Sequence, residues 1–277
     1  MKDESGIIYS QALSFYKNLT RTLMHKGRFF LNEHRFLIEI EKHLDRHIHL
    51  IKKGEIVYRA RLVDATMKNN YKREESFRGL SKKHSFVPPK KFAKEGRASS
   101  AGIVYLYVAE SEHTAIAEVR PTMRSRVNVA PIEALQDLRL LDLSFNFPVE
   151  PALPYKGSHV FAILANEFMI PLDIKASNGG YLPTQFITEF IRKHKSNFDG
   201  IRYNSSLNMG GKNLVIFNHH KCKAISSDFF DIYGIEYCAI GQTGERQIIE
   251  GERLQQSREY QTLSAAGKLI VFDEELY

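Results

Sequence analysis

Tryptophan is missing from the 277 residues, and cysteine occurs only as Cys222 and Cys238. So few cysteines exclude a disulfide framework and point to a reducing compartment. No apolar stretch approaches the roughly 20 residues that span a bilayer. The opening MKDESGIIYSQ is polar and acidic, with no apolar core leading to a small-residue cleavage site, so no secretory leader is read and a cytoplasmic protein is expected. Neither G-x-x-x-x-G-K-[ST] nor G-x-G-x-x-G occurs, which excludes the ordinary P-loop and Rossmann readings. Internal repeats and low-complexity tracts are absent. Asn218-His219-His220-Lys221-Cys222 offers one cysteine beside two adjacent histidines, whose side chains are expected to diverge. That falls short of a four-ligand zinc site, so no metal is expected. Nothing marks a partner base for a cysteine nucleophile.

What the chain has is a globular composition, 43% hydrophobic and 26% charged, with a basic excess of +7. The excess is uneven: Lys72, Arg73, Arg78, Lys82, Lys83, Lys90, Lys91, Lys94 and Arg97 crowd one segment. Such a run is either a solvated loop or a surface for an anionic partner. One alternative is therefore a non-enzymatic nucleic-acid-binding protein using residues 72–97.

The organisation reads as three parts. Residues 1–54 form a helical N-terminal extension. A helix is expected over Gln11–Lys26, ended by Gly27, and Phe36, Ile40, Leu44 and Ile48 recur four apart along one face of another. Residues 55–228 form the core domain, and 229–277 a small β-rich C-terminal appendage. Within the core, Ile56–Val63 alternates as a half-buried strand with Arg59 and Arg61 on one face. Asp64–Glu95 reads as a long basic loop. Arg124–Ala130, Leu138–Leu143, Ile201–Tyr203 and Asn213–Phe217 are strand candidates. Helices are expected over His159–Met169 and from Pro183 onward. Phe147–Pro154 reads as a connection, Asn178-Gly179-Gly180 as a turn, and DIYGIEYCAI and KLIVF as weak strands of the appendage. The fold class is α+β.

The chain is organised around Gly96–Pro121, GRASSAGIVYLYVAESEHTAIAEVRP. Small residues around Arg97 let a ligand approach the backbone. Ile103–Ala109 places Tyr105 and Tyr107 on one strand face. Ser111 caps a short helix on which Thr114 and Glu118 share a side, and Pro121 stops it. A loop cation, a strand aromatic and a helix carboxylate thus fall within one strand–helix unit.

These pieces also carry a resemblance. YRAR (58–61), the 96–121 stretch, LRLLDLS, PTQF (183–186), and DGIRYNSS followed by GGKNLVIF run in the order found in the RES domain family, over about residues 55–220. The sequence resembles that family, which implies an ADP-ribosyltransferase-like mixed β core with flanking helices. It implies an NAD-consuming enzyme, with NAD as substrate and no cofactor, cleaving the nicotinamide–ribose bond with water or inorganic phosphate as acceptor. An ADP-ribosyltransferase acting on a macromolecule uses the same residues. It also implies the toxin of a toxin–antitoxin pair whose partner is an Xre-type helix-turn-helix protein; a homo-oligomer is left open. The family arginine falls on Arg97, the tyrosine on Tyr107, the glutamate on Glu118 and the serine on Ser205, with Ser206 the neighbouring choice. Arg59, and beside it Arg61, are further basic candidates for the substrate. The chain departs from the family in reading Arg-Ala-Ser-Ser, where an aromatic or aliphatic residue and then Asn commonly follow the arginine.

Overall fold

The computed structural model describes residues 7–28, 31, 34–64, 75–144, 159–170, 180–235, 237–240 and 246–249. Ala12, Tyr16, Leu19 and Leu23 recur at steps of three and four, and all are buried, so Tyr9–His25 coils into helix α1. A second helix, α2, is short (Arg35–Glu41), and a 3-10 turn follows at Leu44–Arg46. The spacing that suggested one continuous helix through Ile48 is overridden there. Ile48–Ile51 is strand β1, which pairs with Leu138–Leu141. The ladder satisfies its backbone, and a weak local periodicity loses to that tertiary pairing. Residues 1–54 are therefore not wholly helical, and they supply an edge strand to the main sheet.

The remaining elements follow in order: β2 (Ile56–Leu62), α3 (Lys82–Ser85), β3 (Leu106–Ala109), α4 (Glu112–Glu118), β4 (Arg126–Ala134) and β5 (Leu138–Asp142). After them come α5 (His159–Met169), α6 (Leu182–Lys193), β6 (Gly200–Asn204), β7 (Lys212–Ile216), β8 (Cys222–Ala224), β9 (Asp228–Asp231), β10 (Tyr237–Ile240) and β11 (Arg246–Ile249). The segment read as a long loop before Gly96 thus contains α3 and a 3-10 turn at Lys90–Phe92. The connection at 147–154, the first two residues of the Asn178 turn and the KLIVF stretch lie outside the described residues.

Nine strands form one mixed sheet in the order β1-β5-β6-β7-β3-β2-β4-β8, with β9 also on β4. Its one parallel pairing is β5 with β6. The alternation of strand side chains builds two cores. Leu141, Ile201, Tyr203 and Val215 face α1, α2, α5 and α6, with Phe36, Phe161 and Phe168 fully buried between them. Leu140, Leu214, Leu106 and Val108 face the other way, with Val57, Ile132 and Phe77. Every residue of β7 is buried because both faces of that strand are covered. Among the described residues, strands β10 and β11 pair with each other and with no other strand. The result is an α+β fold. No helix among the described residues is long and apolar enough to cross a membrane.

Candidate active site

Strand register decides which side chains meet. Tyr203 on β6 pairs with Asn213 on β7, and Asn213 pairs with Ala109 on β3. Tyr203, Ser205, Asn213 and Tyr107 therefore project from one face of the sheet. Helix α4 lies against that face. Its Ser111 side chain accepts the Thr114 N–H at 3.2 Å, and Glu112 sits in the first turn, where an acid favours the helix dipole. Thr114 and Glu118, one turn apart, both point at the β6–β7 connection. Asn208 Nδ2 donates to Thr114 Oγ1 at 2.9 Å. A Cβ on Gly211 would come within 2.5 Å of the Thr114 hydroxyl, so the backbone there is as close as glycine permits.

Glu118 is half-buried, and one of its oxygens is committed. Ser205 Oγ donates to Oε1 at 2.7 Å, and Asn213 Nδ2 donates to the same atom at 2.6 Å. Oε2 has no hydrogen-bond partner among the described residues. Ser205 is itself saturated: its oxygen accepts the N–H groups of Leu207 and Asn208 at 3.1 and 3.0 Å. With its single proton on Glu118 and both lone pairs occupied, its hydrogen-bonding capacity is spent. Ser206, the neighbouring choice, is exposed, and the hydrogen bonds to Glu118 come from Ser205 and Asn213 instead.

Arg97 reaches the same region from the loop before β3. Its Nη1 donates to the carbonyls of Phe168 and Met169 at the C-terminal end of α5, the second at 2.8 Å. Those carbonyls lie in the last turn of α5, at the helix's negative pole. Among the described residues Arg97 Nη2 and Nε have no hydrogen-bond partner, whereas Nη1 has two. The guanidinium lies 5.9 Å from the centre of the Tyr203 ring, within cation–π range. Burial raises the Tyr203 hydroxyl well above its usual range; Arg97 opposes this, while Tyr107, Glu118 and Tyr181 add to it. One buried tyrosine thus lies within electrostatic range of both Arg97 and Glu118.

Tyr107 serves the loop. Its hydroxyl meets Ser99 Oγ at 2.9 Å and accepts the Ala98 N–H at 3.3 Å. Burial raises its pKa, and the hydrogen bonds to the loop oppose that rise. Arg59 and Arg61 are not joined to this cluster by side-chain contacts. Arg59 Nη1 donates to the main-chain carbonyl of Tyr107 at 2.9 Å, and Arg61 Nη1 to that of His84 at 3.1 Å. Burial, with neighbouring Arg61, brings the Arg59 guanidinium down to about 10. Three contributors escaped the sequence reading: Tyr203, Asn213 and Gln185. Each lies inside one of the motifs DGIRYNSS, GGKNLVIF and PTQF, but neither the cross-strand register that places Tyr203 and Asn213 nor the packing of α6 on the Arg97 loop that places Gln185 is written in them.

Part of the basic segment goes elsewhere. Lys82 and Lys83 line an open groove of about 530 Å³ with Lys223, over a floor of Phe86, Val87 and Ala224. That groove contains none of the residues around Glu118. His219 and His220 do not diverge; their rings lie 4.2 Å apart in a 3-10 turn. Among the described residues no group of three or more His, Cys, Asp or Glu side chains is placed to hold a metal ion.

Comparison with protein families matches the RES domain over residues 57–231. The chain belongs to the RES domain family. Curated proteins and solved structures give no match. RES domains are associated with toxin function directed at NAD and with toxin–antitoxin systems, which makes an NAD-acting enzyme the functional class. In this RES domain the matched span leaves out α1, α2 and β1, although β1 is hydrogen-bonded into the same sheet.

Proposed function

We propose that this RES domain cleaves the bond between nicotinamide and ribose in NAD, passing the ribosyl carbon to water or inorganic phosphate. The observation that carries the reading is Glu118, with one oxygen fixed by Ser205 and Asn213 and the other without a partner among the described residues, beside a tyrosine that also meets Arg97. Nicotinamide leaves as a neutral base from a cationic pyridinium, so no general acid is needed. The carbon left behind develops positive charge, as in glycoside cleavage. A preorganised carboxylate lowers the energy of that state without reorganising when charge appears. Glu118 Oε2 is the atom available to the ribose hydroxyls and the developing cation. The free edge of the Arg97 fork matches a pyrophosphate oxygen pair. Ser205 acts through Glu118, because its own hydrogen bonds are used. With water as acceptor the products are nicotinamide, ADP-ribose and a proton; with phosphate, the phosphorylated ribose. The same site is consistent with the toxin role and with an Xre-type antitoxin as partner.

The test is Glu118→Gln, which keeps shape and removes charge. NAD consumption by the purified protein is expected to fall about 10²–10³-fold, the usual cost of losing one preorganised electrostatic group. An unchanged rate would remove the assignment. Labelled NAD identifies the acceptor. Label on free ADP-ribose or its phosphate fits the proposal, whereas label on protein or nucleic acid makes the protein a transferase.

A further inference from the structure

The loop that carries Arg97 has few anchors of its own. Its neighbours are Gly96, Ala98, Ser99, Ser100, Ala101 and Gly102, and among them only the Ala98 methyl packs into the core. Yet Arg97 must be held in place if the edge of its fork that has no partner among the described residues is to meet an anion. The atoms that hold the loop come from elsewhere, chiefly from one amide on α6.

Gln185 is buried, at 7% exposure, and all of its polar atoms are aimed at this loop. Nε2 donates to the carbonyls of Gly96 at 3.0 Å and Ser99 at 3.2 Å. Oε1 accepts the Ser100 hydroxyl at 3.1 Å. The two carbonyls flank Arg97, so the amide grips the backbone on both sides of it. From β3, the Tyr107 hydroxyl takes the Ala98 N–H and meets Ser99 Oγ. Gly96 N–H closes the loop on Ser99 O at 2.8 Å. The fit is tight: a Cβ on Gly96 would lie 2.7 Å from the Tyr107 hydroxyl.

We propose that Gln185 is a positioning residue that sets the Arg97 guanidinium for the anionic part of the substrate, with the Tyr107 hydroxyl as second clamp. This rests on the NAD reading above and adds to it a residue that touches no substrate atom. An amide is the side chain that suits the place. It supplies two donors for two carbonyls and one acceptor for a hydroxyl. Methionine has a similar volume but leaves both carbonyls without the amide. Glutamate has the same shape but turns a carboxylate oxygen toward two carbonyl oxygens. Either change loosens the loop, while Glu118 on α4, Ser205 just after β6 and Asn213 on β7 keep their contacts.

The experiment is a double-mutant cycle on NAD turnover: wild type, Gln185→Met, Arg97→Ala and the pair. Gln185→Met is expected to raise KM about tenfold, the loss of roughly one charge-assisted hydrogen bond, with kcat within about twofold. On the Arg97→Ala background the same change is expected to leave KM where it is, because Gln185 acts through that arginine. A role confined to stability lowers the active fraction, which appears as reduced kcat at constant KM and on both backgrounds alike. Gln185→Glu serves as second variant, with the same KM effect expected. Amide exchange at residues 96–103 should quicken in Gln185→Met and stay at the wild-type rate in Glu118→Gln. An unchanged KM in an active Gln185→Met protein overturns this inference alone. A wild-type protein that leaves NAD intact overturns the reading beneath it.

Discussion

At the scale of single residues, the division of labour around Glu118 is the central result. A carboxylate on a surface helix is usually a solvated group. Here its backbone position is fixed by a capped helix, and one of its oxygens by two donors. Ser205 is the cheaper of the two to test. Ser205→Ala deletes the proton given to Glu118 and leaves the Leu207 and Asn208 N–H groups without their acceptor. A destabilisation of about 1–3 kcal/mol is expected. A drop in kcat of about tenfold at unchanged KM should accompany it, because the carboxylate is loosened and the Arg97 side is not. A large KM increase would instead mean that Ser205 meets substrate directly. Four members of this site were legible from motif order: Arg97, Tyr107, Glu118 and Ser205. Asn213 and Tyr203 were not, because only the pairing of β6 with β7 puts them opposite each other.

At the scale of elements, tyrosine hydroxyls tie helices to the sheet and to one another. Tyr16 on α1 donates to Glu167 on α5 at 2.8 Å, and Tyr105, just before β3, donates to Glu189 on α6 at 2.5 Å. Burial is the largest cause raising the pKa of Tyr16, Tyr105, Tyr107 and Tyr203, with Glu167 and Glu189 adding to the first two. A raised folded-state value means the neutral phenol is the form the fold favours. Its contribution is complete below the unfolded value of about 10 and is lost as pH climbs beyond it. Arg59 works in the opposite sense, since its charged form is disfavoured by burial and its penalty fades above about 10. Four phenols outweigh one guanidinium. Alkaline titration is therefore expected to show part of the tyrosinate absorbance appearing only together with loss of far-ultraviolet circular dichroism above about pH 10. If all tyrosines ionise before unfolding, these hydroxyls do not bridge the elements. The elements themselves were readable where local chemistry dominates: His159–Met169 matches α5, Ser111 caps α4, and Pro183 sits at the start of α6. They were misread where pairing partners are distant, as at Ile48–Ile51.

At the scale of the whole molecule, the N-terminal 54 residues decide what counts as the folding unit. Sequence pattern set them apart, because their motifs belong to no recognised stretch and their apolar residues recur with helical spacing. The physics of the folded chain puts them inside. Leu19, Leu23, Phe36, Leu37, Ile40 and Leu44 are fully buried in the core that also holds Phe161 and Phe168 of α5, Leu141 of β5 and Val215 of β7. His47 stacks on Phe161 at 3.9 Å between ring centres, and β1 hydrogen-bonds the outer edge of β5. Removing this segment exposes apolar side chains on α5 and α6 and opens the edge of β5, which pairs in parallel with β6, the strand that carries Tyr203 and leads into Ser205. Six buried aliphatic and aromatic side chains at about 1.5–3 kcal/mol each contribute a gross burial of about 9–18 kcal/mol before ordering costs, the same scale as the roughly 5–15 kcal/mol total stability of an ordinary domain. A chain starting at Gly54 is therefore expected to aggregate or to lose cooperative thermal unfolding. Supplying residues 1–54 as a separate peptide should restore part of it. A truncated protein that unfolds cooperatively at the full-length temperature and retains NAD consumption would make the extension separable, and the matched span of the family the true structural unit.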